Sequence, residues 1–186
     1  MQILQTKIPG LIIIEPDVFS DRRGYFYESY SLQKYREHGI QNEFVQDNVS
    51  SSVRGVVRGL HYQLGPYAQG KLIQVLKGTV LDVAVDLRQG SPTYGEYLSL
   101  EVSEENHRQF YVPRGFAHGF SVLSKEVIFT YKCDNYYNKE AERGINFRDP
   151  ALGIDWQIPE NEIIISPKDQ VLPSMEEAEK NFVFRN

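Results

Sequence analysis

The chain has one cysteine, Cys133, so no internal disulfide can form and a cysteine-based metal cluster is excluded. No stretch approaches the ~20 apolar residues that a membrane helix needs. The apolar run at the N-terminus reaches only from Leu11 to Ile14. It follows no basic region and precedes no cleavage site, so no signal peptide, no membrane association and a cytoplasmic location are expected. A basic excess is also missing: the net charge of −5 is the wrong sign for a protein that wraps nucleic acid. It leaves room for a small anionic ligand held by a few placed cations, with Arg23, Arg54, Arg58 and Lys71 as candidates. Repeats, low-complexity segments and linkers are absent, and 186 residues suit one domain spanning the whole chain, residues 1–186.

What the chain does have is aromatic bulk and alternation. Its apolar fraction of 41% is offset by 12 Tyr, 10 Phe and one Trp. From Thr79 to Leu87 the odd positions Thr79, Leu81, Val83, Val85 and Leu87 share one face, and Val80, Asp82, Ala84 and Asp86 the other. The same period of two recurs at Leu98, Leu100 and Val102, and at Val127, Phe129, Tyr131 and Cys133. Turn signals at Lys77-Gly78, Gly90-Ser91-Pro92 and Pro113-Arg114-Gly115 separate these runs. Many short strands at this spacing predict an all-β sandwich or barrel. A short helix is expected from Ser31, as cap, to Gly39, as stop, and a second from Met175 to Asn181. Four prolines after Asp149 predict an irregular tail, whose Leu152, Ile154, Trp156 and Ile163 to Ile165 should pack on the body.

Chemistry concentrates in four places: Arg58-Gly59-Leu60-His61-Tyr62-Gln63 with Gly70-Lys71-Leu72; Pro113 to Phe120 around His118; Tyr131; and Ser166-Pro167-Lys168-Asp169. Taken singly, each has a plain structural explanation. A strand histidine is usually hydrogen-bonded core, a tyrosine on an apolar face is filler, and a strand lysine is a solvated edge residue. Two of only four histidines inside glycine-flanked strand motifs exceed what composition suggests.

The Pro113-x-Gly115-x-x-His118 spacing resembles the second half-motif of the cupin superfamily, which implies a cupin-like jelly-roll barrel. Metal-holding cupins carry a His-x-His pair followed by Glu. Here the pair reads His61-Tyr62-Gln63, and Lys71 stands where the Glu is expected. An ammonium there repels a divalent ion, so no metal is expected and acid–base chemistry is.

Almost end to end, the sequence resembles the dTDP-4-dehydrorhamnose 3,5-epimerase family. The resemblance runs through Phe19 to Glu28, Phe44-Val45-Gln46-Asp47-Asn48, Arg58 to Gln63, Gln69 to Leu72 and Asp82 to Arg88. It continues through Ser91 to Gly95, Pro113 to Phe120, Tyr131-Lys132, Asn135-Tyr136-Tyr137, Asp149-Pro150, Ile154-Asp155-Trp156 and Ser166 to Asp169. Gln157 and Phe147 depart from the family's usual proline and tryptophan, both in the tail.

The resemblance implies an isomerase without a cofactor, acting on a dTDP-linked 4-keto-6-deoxyhexose and inverting carbons 3 and 5. His61 is implied as general base, Asp169 as the carboxylate that orients it, Tyr131 as the acid on the opposite ring face and Lys71 as the cation facing the enolate oxygen. Arg23 and Arg58 fall on diphosphate-binding positions. Phe26, Glu28, Gln46, Asp47, Asn48, Gln63, His118, Glu142 and Lys168 fall on other substrate-binding positions, and Tyr137 on the aromatic that stacks on thymine. Asp82 is placed to orient Lys71 or His118. A homodimer is also implied, with an N-terminal β segment completing the partner's sheet or site. Two alternatives stay open: a related epimerase or ketoisomerase acting at one centre, and a cupin-like sugar-nucleotide binding protein without activity.

Overall fold

The computed structural model describes residues 1–185. Thirteen strands carry the fold: β1 (Gln2–Gln5), β2 (Ile12–Glu15), β3 (Phe19–Asp21), β4 (Gly24–Phe26), β5 (Gln46–Val53), β6 (Val57–Gln63), β7 (Lys71–Lys77), β8 (Thr79–Asp86), β9 (Tyr97–Ser103), β10 (Gln109–Val112), β11 (Phe116–Val122), β12 (Glu126–Cys133) and β13 (Glu142–Gly144). Two short helices, α1 (Leu32–Glu37) and α2 (Pro167–Gln170), complete it. The strands form a six-stranded sheet in the order β1-β2-β10-β7-β12-β5 and a five-stranded sheet in the order β13-β6-β11-β8-β9. A separate hairpin joins β3 to β4. This is the all-β, cupin-like jelly roll that the alternation and the His118 motif predict.

Alternation assigns the layers. On β8, Val80 and Ala84 point into the space between the sheets, where they meet Ile73, Val75, Phe110, Phe116, Phe120, Val122, Val127 and Phe129. Leu81, Val83 and Val85 point the other way, onto a layer built from the tail by Phe147, Trp156, Met175 and Phe182. Both faces of β8 are therefore buried, as its near-continuous apolar run requires. Tail attachment is also polar: Ser121 Oγ donates to the Trp156 carbonyl at 2.7 Å and the Trp156 indole donates to the Phe147 carbonyl at 2.8 Å. The outer face of the six-stranded sheet is covered on one half by Tyr35 of α1 and by Ile40, against Ile12, Ile14, Leu72 and Tyr111. Its other half stays open, leaving Val49, Val53 and Leu76 exposed.

The helices differ in part from expectation. Ser31 occupies the N-cap position of α1, yet its side chain makes no cap bond. No helix forms from Met175 to Asn181. That segment makes a single turn, closed by the Ala178 N–H on the Ser174 carbonyl at 2.9 Å, before the buried Met175 and Ala178 commit it to the tail layer. The second helix is α2 instead, where Ser166 caps and Pro167 opens the turn.

Gly59 and Gly119 let β6 and β11 touch. A Cβ on Gly59 would stand 2.6 Å from the Gly119 Cα and 2.8 Å from the His118 carbonyl oxygen, with φ at +121°. Gly90 also has positive φ, but open space around it. Gly59→Ala is expected to cost about 1–3 kcal/mol from overpacking on top of the ~1–2 kcal/mol backbone term. Gly90→Ala should show only the backbone term. Urea unfolding of the two variants, side by side, checks the difference.

Candidate active site

Sheet order leaves a seam. β5 is an edge of one sheet, and β6 lies one strand in from the edge of the other; between them opens a cavity of about 600 Å³. Asn48, Arg58, His61, Lys71, His118, Tyr131, Lys168 and Asp169 line it. His61, Lys71, His118 and Tyr131 also border a smaller chamber of about 110 Å³, closed by Gln63, Tyr137 and Glu142. Most of the predicted site residues, from distant parts of the sequence, thus meet around one space.

His61 is held from the tail. Its Nε2 lies 2.8 Å from Asp169 Oδ1, while Asp169 Oδ2 accepts the Gly59 backbone N–H at 3.3 Å. Ser166 Oγ in turn accepts the Asp169 N–H at 3.1 Å, which fixes the turn carrying the carboxylate. Burial alone pushes the Asp169 carboxyl up, but the His61, Gly59 and Ser166 contacts together hold it below its ordinary value. An ionised carboxylate only accepts, so the imidazole proton sits on Nε2 and the lone pair on Nδ1. The His61 side chain is 29% exposed and Asp169 5%, so the imidazole meets the cavity while the carboxylate stays nearly sealed.

Tyr131 stands on the opposite sheet, on β12, with Phe129 two residues earlier on the same face. Burial raises its pKa, which keeps the phenol protonated. Lys71 enters from β7, a central strand between β10 and β12, and its Nζ lies 5.7 Å from the Tyr131 ring centre. The expectation that a strand lysine sits solvated at an edge fails here, because this strand is interior and Lys71 shares the inward face with Ile73 and Val75. Its ammonium makes no hydrogen bond or salt bridge among the described residues, and burial lowers its pKa. Next to His61 on the adjacent strand is His118, whose Nε2 lies 2.9 and 3.0 Å from the two oxygens of Asp82.

At the mouth, Glu142 joins the two rims by accepting Tyr137 Oη–H at 2.8 Å and pairing with Lys168 at 2.7 Å. Gln46 spans from the Asn48 side chain to the Tyr137 backbone N–H. Gln63 spends its amide on the Tyr67 carbonyl and the Asn138 N–H, so it shapes the chamber wall. Arg58 donates from Nε to Ser52 Oγ at 3.1 Å, which aims the guanidinium along the seam.

Five predicted residues do not line this cavity within the chain: Gln46 stops at its mouth, and four lie away from it. Asp47 alternates to the outer face of β5 and pairs with Lys132. Arg23 and Phe26 ride the β3–β4 hairpin, every residue of which is exposed; Arg23 pairs with Asp21 and Phe26 is 69% exposed. Glu28 pairs with Lys34 beyond the hairpin. The hairpin's own chain offers it little beyond contacts of Tyr25 and Tyr27 with His107. Conversely, Phe120 and Phe129, stacked with ring centres 4.1 Å apart, floor the cavity and were not among the predicted residues. Their signal was the period of two: each lies two residues from His118 or Tyr131 on the same inward face.

The fold and this cavity define a cupin-like protein that sets a histidine–carboxylate pair and a tyrosine on opposite sheets, beside a half-buried lysine. Residues 5–177 match the sequence profile of dTDP-4-dehydrorhamnose 3,5-epimerase. The enzyme of that name from Shigella flexneri is 51% identical over 170 residues, 91% of this chain and 93% of its own length. The crystal structure of the one from Elizabethkingia anophelis superposes with a TM-score of 0.91 at 54% identity, covering 95% of this chain and 97% of that one. A Legionella pneumophila structure, solved with dTDP-4-keto-L-rhamnose, gives a TM-score of 0.91 at 50% identity, with 95% and 93% covered. The chain belongs to the dTDP-4-dehydrorhamnose 3,5-epimerase family.

An unpaired, half-buried ammonium costs stability at every pH below its lowered folded-state pKa. Lys71→Met is therefore expected to raise the unfolding free energy by about 0.5–2 kcal/mol while removing activity. Urea unfolding at neutral pH checks it, and a less stable variant contradicts it.

Proposed function

We propose that this protein is an isomerase that converts dTDP-4-dehydro-6-deoxy-D-glucose to dTDP-4-dehydro-L-rhamnose by acid–base epimerisation at carbons 3 and 5. One observation carries the reading: a carboxylate-held histidine and a protonated tyrosine face one cavity from opposite sheets, and the Lys71 ammonium lines the same cavity 5.7 Å from the tyrosine ring centre.

The ketone at carbon 4 acidifies the hydrogens on both neighbouring carbons. Nδ1 of His61 takes such a proton from one ring face, and Asp169 supports the imidazolium that forms. The electron pair moves onto the carbonyl oxygen, where the Lys71 ammonium meets a charge absent from the ground state. In the apolar interior that contact is stronger than in water. Tyr131 then gives its phenolic proton to the opposite face of the carbon, which inverts it. His61 loses its proton to solvent and Tyr131 regains one, so the pair is ready for the second carbon. No redox cofactor enters, because the ketone itself supplies the acidity.

Nucleotide binding is assigned to the mouth, with Arg58 and Lys168 towards the diphosphate and Asn48, Gln46 and Tyr137 towards the nucleoside. Tyr137, Glu142 and Lys168 satisfy one another in the free protein, so the ligand replaces contacts that already exist. Arg23, Phe26 and Glu28 reach a site only if a second copy supplies them, which fits a homodimer. The exposed hairpin and the open half of the six-stranded sheet are the surfaces such a pairing would cover.

Three outcomes are expected. In deuterated water, proton NMR of the substrate should show deuterium at both carbons with the intact protein and at neither with His61→Ala. Exchange at one carbon only would instead place the protein with single-centre epimerases, and binding without exchange would remove the enzymatic reading. Activity should fall on the alkaline side as Lys71 deprotonates, because burial moves Lys71 down and Tyr131 up. Sedimentation at micromolar concentration should give a dimer, and Arg23→Ala should raise KM at least about tenfold, as loss of a charge-assisted contact of ~1.5–3 kcal/mol implies. A monomer with unchanged KM contradicts the shared site.

A further inference from the structure

The β3–β4 hairpin pairs with no strand but its own, and its residues are exposed, so no sheet fixes its direction. What orients it lies at its two roots. Residues 16–28 leave the body after Glu15, the last residue of β2, and return at Ser29. Glu15 accepts from Arg108 Nε at 2.8 Å. The Ser29 carbonyl accepts from Gln109 Nε2 at 2.7 Å. Gln109 opens β10 and is wholly buried, and the rest of its amide is also engaged. Nε2 donates to Gln74 Oε1 at 2.8 Å, and Oε1 accepts the Tyr35 hydroxyl. A sealed and satisfied amide makes a rigid post, and one of its bonds holds the base of the hairpin.

The residue before this pair is His107. Its imidazole lies against two tyrosines of the arm, with ring centres 4.6 Å from Tyr25 and 5.2 Å from Tyr27. Three consecutive residues, His107, Arg108 and Gln109, therefore each hold the arm or one of its roots.

His107 also stands out in its backbone. Its φ is +51°, the left-handed region that glycine and asparagine adopt most readily. The turn itself does not need an imidazole. Asn106 closes it, its Oδ1 accepting the N–H groups of Ser103 at 3.1 Å and Arg108 at 2.9 Å. Among the described residues the imidazole makes no hydrogen bond, and the rings it meets are those two tyrosines. A side chain the turn can do without, placed where a β-carbon is disfavoured, thus makes its contacts with the arm.

We propose that His107 is a positioning residue: with Arg108 and Gln109 it holds the β3–β4 hairpin at a set angle to the barrel, so that Arg23 and Phe26 are already aimed when two copies meet. This rests on the shared-site reading above. A hairpin free to swing would occupy the site-completing pose only part of the time, and the apparent affinity for the nucleotide sugar would fall by that fraction. The proton transfers at His61 and Tyr131 would be untouched once the ligand is bound.

The test compares kcat and KM of wild type, His107→Asn, Arg23→Ala and the double variant. Asparagine suits the left-handed backbone and removes only the ring, so urea unfolding of His107→Asn should give a midpoint no lower than that of the wild type. Its KM should rise about three- to tenfold, as loss of two aromatic contacts and a partly populated arm imply, with kcat unchanged. Because His107 and Arg23 act through one arm, the ring's loss should matter less in the Arg23→Ala background than alone. An unchanged KM in His107→Asn, a fall in kcat in place of a rise in KM, or full additivity in the double variant overturns the proposal. An unchanged KM in Arg23→Ala would remove the shared-site reading itself, whereas a raised KM there beside an unaffected His107→Asn removes this inference alone.

Discussion

The bond between Asp169 and His61 joins the two halves of the structure, and the remaining geometry depends on it. Asp169 belongs to the irregular tail and His61 to a strand of the barrel. For the carboxylate to arrive, the tail must first cover the outer face of the five-stranded sheet, which Trp156, Met175 and Phe182 accomplish. The turn at Ser166 and Pro167 then aims Asp169 inward, and the Gly59 N–H takes its second oxygen. Gly59 can do so only because neither it nor Gly119 carries a side chain at the β6–β11 contact. Packing energy gained far from the cavity thereby fixes the tautomer of one imidazole.

The interior shows the opposite relation, with stability given up where chemistry is needed. Phe110, Phe116, Phe120, Phe129 and the valines around them make an apolar space between the sheets. Lys71, Asp82 and His118 are set into it, where desolvation lowers the lysine and the histidine and raises the aspartate. Such groups are poor cores and useful reagents. The same low polarity that makes them costly strengthens the contact between an ammonium and a developing oxyanion.

Alternation made the barrel readable from the sequence. The runs at Thr79–Leu87 and Val127–Cys133 became β8 and β12, with the residues grouped on the two faces as the alternation assigned them. The histidines and Tyr131 could be singled out because they interrupt apolar faces in glycine-flanked motifs, and the family resemblance joined them to Asp169, which no local pattern could. What sequence could not supply was strand order. Lys71 looks like an edge residue until β7 is known to lie between β10 and β12. Asp47 looks like a neighbour of Asn48 in function until the pleat turns it to the other face. The Met175 to Asn181 segment had helical composition, but tail packing claimed Met175 and Ala178 first.

The account turns on base and acid acting from opposite walls, and Tyr131→Phe isolates that claim. With the substrate in deuterated water, His61 should still remove a proton and return a deuteron to the face it came from. Proton NMR is then expected to show deuterium entering the sugar while its configuration is retained. Continued inversion in that variant would show that the second proton does not come from Tyr131 and would contradict the two-wall mechanism.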